Sequence, residues 1–139
     1  MGSDVLEVTV TVRADEVRRL AVLVEQFCHA RGVAPERSYK LALALEELFT
    51  NVIAHGEAGP DAEEAWLVLT READAVVAVF EDRCRPFDPT TAPAPDLDGT
   101  LEERPVGGLG LHLIRALVDV AWLRVGDRNR TTLRLSTAG

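Results

Sequence analysis

The sequence predicts a two-layer α/β sandwich, a mixed and mainly antiparallel sheet with three helices on one face. Apolar residues alternate with period two over five short runs and recur at i, i+3, i+4, i+7 over three longer ones. The runs follow one another as β-α-α-β-β-α-β-β. Strands adjacent in sequence form hairpins and hence antiparallel neighbours, and three amphipathic helices suffice to cover one side of such a sheet.

The first run, VLEVTVTV, sets Leu6, Val8, Val10 and Val12 on one side and Glu7, Thr9 and Thr11 on the other, so a half-buried strand lies at an edge or flank. From Asp15 to Arg31 the residues Val17, Leu20, Ala21, Val24, Phe27 and Cys28 keep helical spacing. Asp15 is expected to cap the start of that helix and Gly32 to stop it. Pro35 opens a second helix where its missing N–H is no loss, and Leu41, Leu45, Leu48, Val52 and Ile53 carry its core face to Gly56.

GEAGPDAEE reads as a turn-rich loop, and AWLVLTRE and AVVAVFED as a hairpin joined by Glu72-Ala73-Asp74. Between residue 83 and about 106 stand Pro86, Pro89, Pro93, Pro95 and Pro105, which forbid a long helix or a central strand. A loop that long in a compact domain is often a lid, and composition alone equally allows a surface insertion. GGLGLHLIRALVDV is a glycine-led helix, and AWLRVG and TTLRLS form a second hairpin expected to turn at Asp127 to Arg130.

At 139 residues the chain makes one domain, 1–139, large enough for a real core. Apolar residues are 47% and charged ones 27%, with no apolar run near the roughly 20 residues that span a bilayer and no signal-peptide pattern at the N-terminus. A cytoplasmic protein without a membrane partner is expected. Fifteen Lys and Arg against 23 Asp and Glu give a net charge of −8, which disfavours a nucleic-acid partner. Two cysteines, Cys28 and Cys84, fit no zinc spacing and read as reduced thiols.

Within ALEELFTNVIAHG the residues Glu47, Asn51 and His55 stand four apart on one helical stripe beside the buried face. A carboxylate and an amide one turn apart can hold a hard cation or its waters; the same pair can simply be solvated. Glu46 is five before Asn51 and rotated away, and His55 is sufficiently explained by the helix C-terminus. Asp82 ends an apolar strand in phase with Ala78 and Phe80, so its carboxylate faces inward and needs donors. An exocyclic amine such as adenine's could supply one, and capping of the following turn serves equally. Gly107, Gly108 and Gly110 lead the last helix, where free N–H groups favour anions; neither a P-loop nor a Rossmann fingerprint is present.

These three segments, in this order, resemble the anti-sigma-factor serine/threonine kinase branch of the GHKL (histidine-kinase-like) ATPase superfamily, over about residues 5 to 136. The resemblance implies a Bergerat-type ATP-binding domain using ATP and Mg²⁺. Glu47 and Asn51 match the family's Glu-x-x-x-Asn box, which implies Glu47 as the general base or water-orienting residue and Asn51 as the Mg²⁺ ligand. Asp82-Arg83-Cys84-Arg85-Pro86-Phe87-Asp88-Pro89 matches Asp-x-Gly-x-Pro-Phe-Asp-Pro and implies that Asp82 receives the adenine amino group. Gly107, Gly108 and Gly110 match the glycine box that contacts phosphates, residues 89 to 106 the ATP lid, and Thr131 the threonine at the adenine end; Arg104, just before the glycines, could contact the γ-phosphate or be a solvated cation of the lid. Cys84 and Arg130 stand where the pattern has glycine.

The activity implied is phosphorylation of a serine on an anti-sigma-factor antagonist, with a sigma factor as the other partner and a possible homodimer. Because Cys84 replaces glycine, a second reading is a nucleotide-free or catalytically weak switch that captures a partner. A plain hydrolytic ATPase module ranks last.

Overall fold

The computed structural model describes residues 4–55, 64–91 and 108–137. In chain order the strands and helices are β1 (Val5–Thr11), α1 (Val17–Ala30), α2 (Pro35–His55), β2 (Glu64–Arg71), β3 (Ala75–Asp82), α3 (Gly108–Leu117), β4 (Asp119–Val125) and β5 (Arg128–Ser136). The sheet order is β1-β2-β3-β5-β4. Every neighbouring pair is antiparallel, so the parallel component expected from the sequence is absent among the described residues. β1 is an edge, as its position in the sequence suggested, and β4 is the other.

One face of the sheet packs against the helices. Leu67 and Leu69 of β2, Val76, Ala78 and Phe80 of β3, and Leu133 and Leu135 of β5 meet Leu20 and Val24 of α1 and Leu41, Leu45, Leu48 and Phe49 of α2 in one core. The Phe49 and Phe80 rings cross edge to face at 5.3 Å and 71°, the arrangement that aromatic quadrupoles favour. On the opposite face Glu81 pairs with Arg130 at 3.0 Å and Arg128 at 3.4 Å. There the Arg128 guanidinium also lies 3.8 Å over the Trp66 ring.

Two local expectations are corrected. Asp15 does not cap α1. Ala14–Glu16 form a 3₁₀ turn, and Glu16 occupies the cap position with no side-chain cap bond. The Val17 N–H instead finds the Ala14 carbonyl, and Glu16 pairs with Arg19 at 3.1 Å. The last hairpin turns at Gly126-Asp127, since Val125 already pairs with Arg128. Gly126 sits at φ +59°, the conformation required at the first position of a two-residue turn and open to glycine without a Cβ penalty. β5 is therefore longer than the apolar run TTLRLS, and Asn129 lies within it.

At the end of α1 the expected stop is realised. Gly32 has φ +74°, its N–H reaches the His29 carbonyl at 3.3 Å, and the Val33 N–H reaches that of Cys28 at 3.0 Å. This pair of bonds satisfies the orphan carbonyls of the last turn.

Candidate functional site

Helix α2 brings a polar stripe to the margin of the core. Asn51 is only 2% exposed. Its Nδ2 donates to the Glu47 backbone carbonyl at 2.6 Å, one turn back, and its Oδ1 is buried with no partner among the described residues. A buried acceptor without a donor costs roughly 1–3 kcal/mol, and a hard cation or a bridging water would relieve it. Glu47 is half-buried and its carboxylate likewise has no partner among the described residues. Glu46, the alternative in the sequence, turns to α1 and meets Arg18 at 3.5 Å. Asn51 fits a magnesium site through a single ligand atom. Among the described residues no three His, Cys, Asp or Glu side chains gather into a metal set, so such a cation would lean on phosphate oxygens and water.

One turn along the same helix, Leu48 and Val52 form the wall of a small cavity completed by Asp82, Cys84, Phe87, Asn129 and Thr131. Asp82 is 1% exposed at the end of β3. Its Oδ1 accepts the Cys84 backbone N–H and the Asn129 Nδ2, both at 3.0 Å. The turn-capping role that the sequence allowed for Asp82 is thus present at one oxygen. Cys84 has no positive φ, so its replacement of glycine brings no backbone strain. Its side chain is buried beside Asp82, and burial first, then the charge of Asp82 and a hydrogen bond to it, push its pKa up to about 12 despite Arg124. The thiol is therefore protonated at neutral pH. The cavity left between these side chains is about 10 Å³, room for about one water and not for an aromatic base. Its polar and apolar lining suits such a base chemically, and seating one requires lining side chains to move.

The chain after β3 is held from several sides. The Arg124 guanidinium donates to the Cys84 carbonyl at 2.8 Å, and Asn129 Oδ1 accepts the Phe87 N–H at 3.2 Å. Asp88 Oδ1 accepts the Thr90 N–H at 2.8 Å and its hydroxyl at 2.6 Å, starting the 3₁₀ turn Pro89–Thr91. Arg115 of α3 donates to the Thr90 carbonyl at 3.1 Å.

Asp82, Cys84 and Thr131 are thus brought to one cavity, while Glu47 and Asn51 stand on the helix that walls it. Gly108 and Gly110 lie in the first turn of α3. Arg104, Gly107 and residues 92–106 of the expected lid lie outside the described residues. Arg130, at the late glycine position, pairs with Glu81 on the far face of the sheet and stays clear of the cavity.

The family model of the histidine kinase-like ATPase domain matches residues 10–137. The chain belongs to that family. Membership implies nucleotide use, and the superfamily is the one the motifs indicated. No curated protein matches it in sequence. Among solved structures, the domain resembles the RsbU and RsbW domains of Rv1364c from Mycobacterium tuberculosis, at TM-score 0.64 and 18% identity over 97% of this chain. It spans only 33% of that longer protein. SiaB in the SiaB–SiaC complex from Pseudomonas aeruginosa matches at TM-score 0.56 and 14% identity, over 96% of this chain and 91% of that one. A histidine kinase domain from Erythrobacter litoralis EL346 matches at TM-score 0.51 and 14% identity, over 92% and 62%. At these identities the likeness is one of fold. No helix among the described residues is long and apolar enough to cross a membrane.

Sequence reasoning missed Asn129, which it treated as a turn residue. The signal was available: Asn129 continues the inward phase of Thr131, Leu133 and Leu135, so a strand reaching back to it buries a carboxamide. It also took Phe87 only as part of a motif, and Trp122 as ordinary strand.

Proposed function

We propose that this domain is an ATP-dependent protein serine/threonine kinase acting as an anti-sigma regulatory factor. The observation that carries the reading is the Asn51 Oδ1, buried with no partner among the described residues, on the same helix as Glu47, which likewise has none among them, and beside the polar and apolar lining around Asp82. Asp82 and Thr131 would bind the adenine end, Leu48 and Val52 would pack on the ring, and the Gly107, Gly108 and Gly110 backbone with Arg104 would contact phosphates. Magnesium, taken by Asn51, would neutralise charge on the phosphates as the γ-phosphoryl group transfers. Glu47 would orient or deprotonate a serine hydroxyl of the acceptor. The acceptor is an anti-sigma-factor antagonist and the second partner a sigma factor. We take the protein to be cytoplasmic and to act as a homodimer, with residues 89–106 as the lid of a single domain over 1–139.

A specific observation favours a second reading, a nucleotide-free switch that captures a partner. Cys84 fills space where the family pattern has no side chain, and the cavity holds about 10 Å³.

Calorimetric titration with ATP and Mg²⁺, with Cys84→Gly beside the native chain, decides between them. Binding by the native chain supports the kinase, and Glu47→Ala should then abolish phosphotransfer while leaving ATP affinity within about twofold. Binding only after Cys84→Gly would move the function to protein capture.

A further inference from the structure

The Asn129 carboxamide makes five hydrogen bonds, and their sense fixes its orientation. Nδ2 faces three acceptors: Asp82 Oδ1 at 3.0 Å, the Arg85 carbonyl at 2.9 Å and the Cys84 carbonyl at 3.3 Å. Oδ1 faces two donors, the Phe87 N–H at 3.2 Å and the Trp122 indole N–H at 3.1 Å. Flipping the amide would set oxygen against three oxygens, so only one assignment is viable. Asn129 is 3% exposed and stands in register with Asp82 across β3 and β5.

We propose that Asn129 is the positioning residue that sets base specificity, by holding the Asp82 carboxylate and the 84–87 backbone so that the pocket presents an acceptor to an exocyclic amine. This rests on the reading that the cavity takes a nucleotide base. Asp82 Oδ1 is already occupied by the Cys84 N–H and Asn129 Nδ2. Both donors fix the rotation of the carboxylate, so the direction of its other oxygen is set by Asn129 as much as by Asp82 itself. Trp122 in turn fixes the carboxamide from the edge strand. An amino group on the base would find an acceptor, whereas a carbonyl there would meet a carboxylate oxygen. A site built to pair one hydrogen-bonding pattern rejects its inverse because buried groups are then left unpaired.

ATP and ITP differ at this point, the amine of adenine being a carbonyl in hypoxanthine. Calorimetry with each, on the native chain, Asn129→Ala and Trp122→Phe, gives an affinity ratio that general loosening would not move. The native chain should prefer ATP at least tenfold, Asn129→Ala should bring the ratio to within about threefold of unity, and Trp122→Phe, which keeps all three Nδ2 bonds, should retain most of it. Asn129→Asp, which keeps both acceptor bonds of Oδ1 and loses the donors, serves if the alanine variant does not fold, and should collapse the ratio likewise. An unchanged ratio in a folded Asn129 variant overturns the inference while leaving the nucleotide reading intact. Failure of the native chain to bind either nucleotide overturns the nucleotide reading and the inference with it.

Discussion

Asn51 donates from its carboxamide to the Glu47 carbonyl at 2.6 Å and leaves its own oxygen buried without a donor among the described residues. The amide is thereby anchored to the helix with its acceptor turned off the helix backbone. An anchored, unsatisfied oxygen is destabilising in the free protein and available to a cation or a hydrogen-bond donor that reaches it.

Replacing the residue should therefore separate stability from function. Asn51→Leu removes the orphan acceptor and fills the same volume, and is expected to stabilise the ligand-free protein by about 1 kcal/mol. Chemical denaturation without nucleotide or metal measures this, and a loss of stability would show that the oxygen has a partner in solution. The same variant should lose magnesium-dependent nucleotide affinity.

Both cysteines are buried and protonated well past their ordinary range. Burial is the main cause in each case, raising Cys28 from 9.0 to about 11 and Cys84 from 9.0 to about 12. The unfolded chain releases these protons above pH 9 while the folded chain keeps them. Their stabilising contribution is thus complete below pH 9 and is lost as pH rises toward 11 or 12. Urea melts at pH 8 and pH 10.5 should show the fall, and Cys84→Ala should make it shallower; equal slopes would mean that the thiol is open to solvent.

Phe49 and Phe80 join α2 to β3, with both side chains fully buried. Truncating either to alanine should cost about 3–5 kcal/mol. A double-mutant cycle should return a coupling of about 1 kcal/mol for the edge-to-face contact, and purely additive losses would reduce the contact to ordinary burial.

Gly126 has open space where a Cβ would go, yet its φ is +59°. Gly126→Ala should cost about 1–2 kcal/mol through backbone strain alone. A change under a few tenths, read by denaturation, would mean that the hairpin accepts another turn.

Most of the architecture was legible because period-two and period-3.6 patterns report which side of an element is buried, and these elements are one-sided. Leu67 and Leu69 against Trp66 and Val68 is such a case. Capping and turn positions were less legible. Asp15 is a good cap by type, but the preceding 3₁₀ turn had already supplied a carbonyl to the helix. The turn at Gly126-Asp127 was passed over for Asn129, because a polar residue next to charged ones looks like loop until its partner across the sheet is known. That partner, Asp82, is 47 residues away, and no local pattern announces a bond over such a separation. Glu47 over Glu46 rested on helical spacing alone, and in the structure Glu46 pairs with Arg18.

The protein has two tryptophans, and the sheet separates them. Trp122 is bonded through its indole N–H to the carboxamide that holds the cavity, whereas Trp66 lies beneath Arg128 on the other side. The molecule thus carries its own optical reporters for two surfaces. With Trp66 replaced by phenylalanine, emission comes from the cavity side alone, and with Trp122 replaced, from the opposite face. An event in the pocket and an encounter across the sheet can then be timed independently in one unlabelled protein.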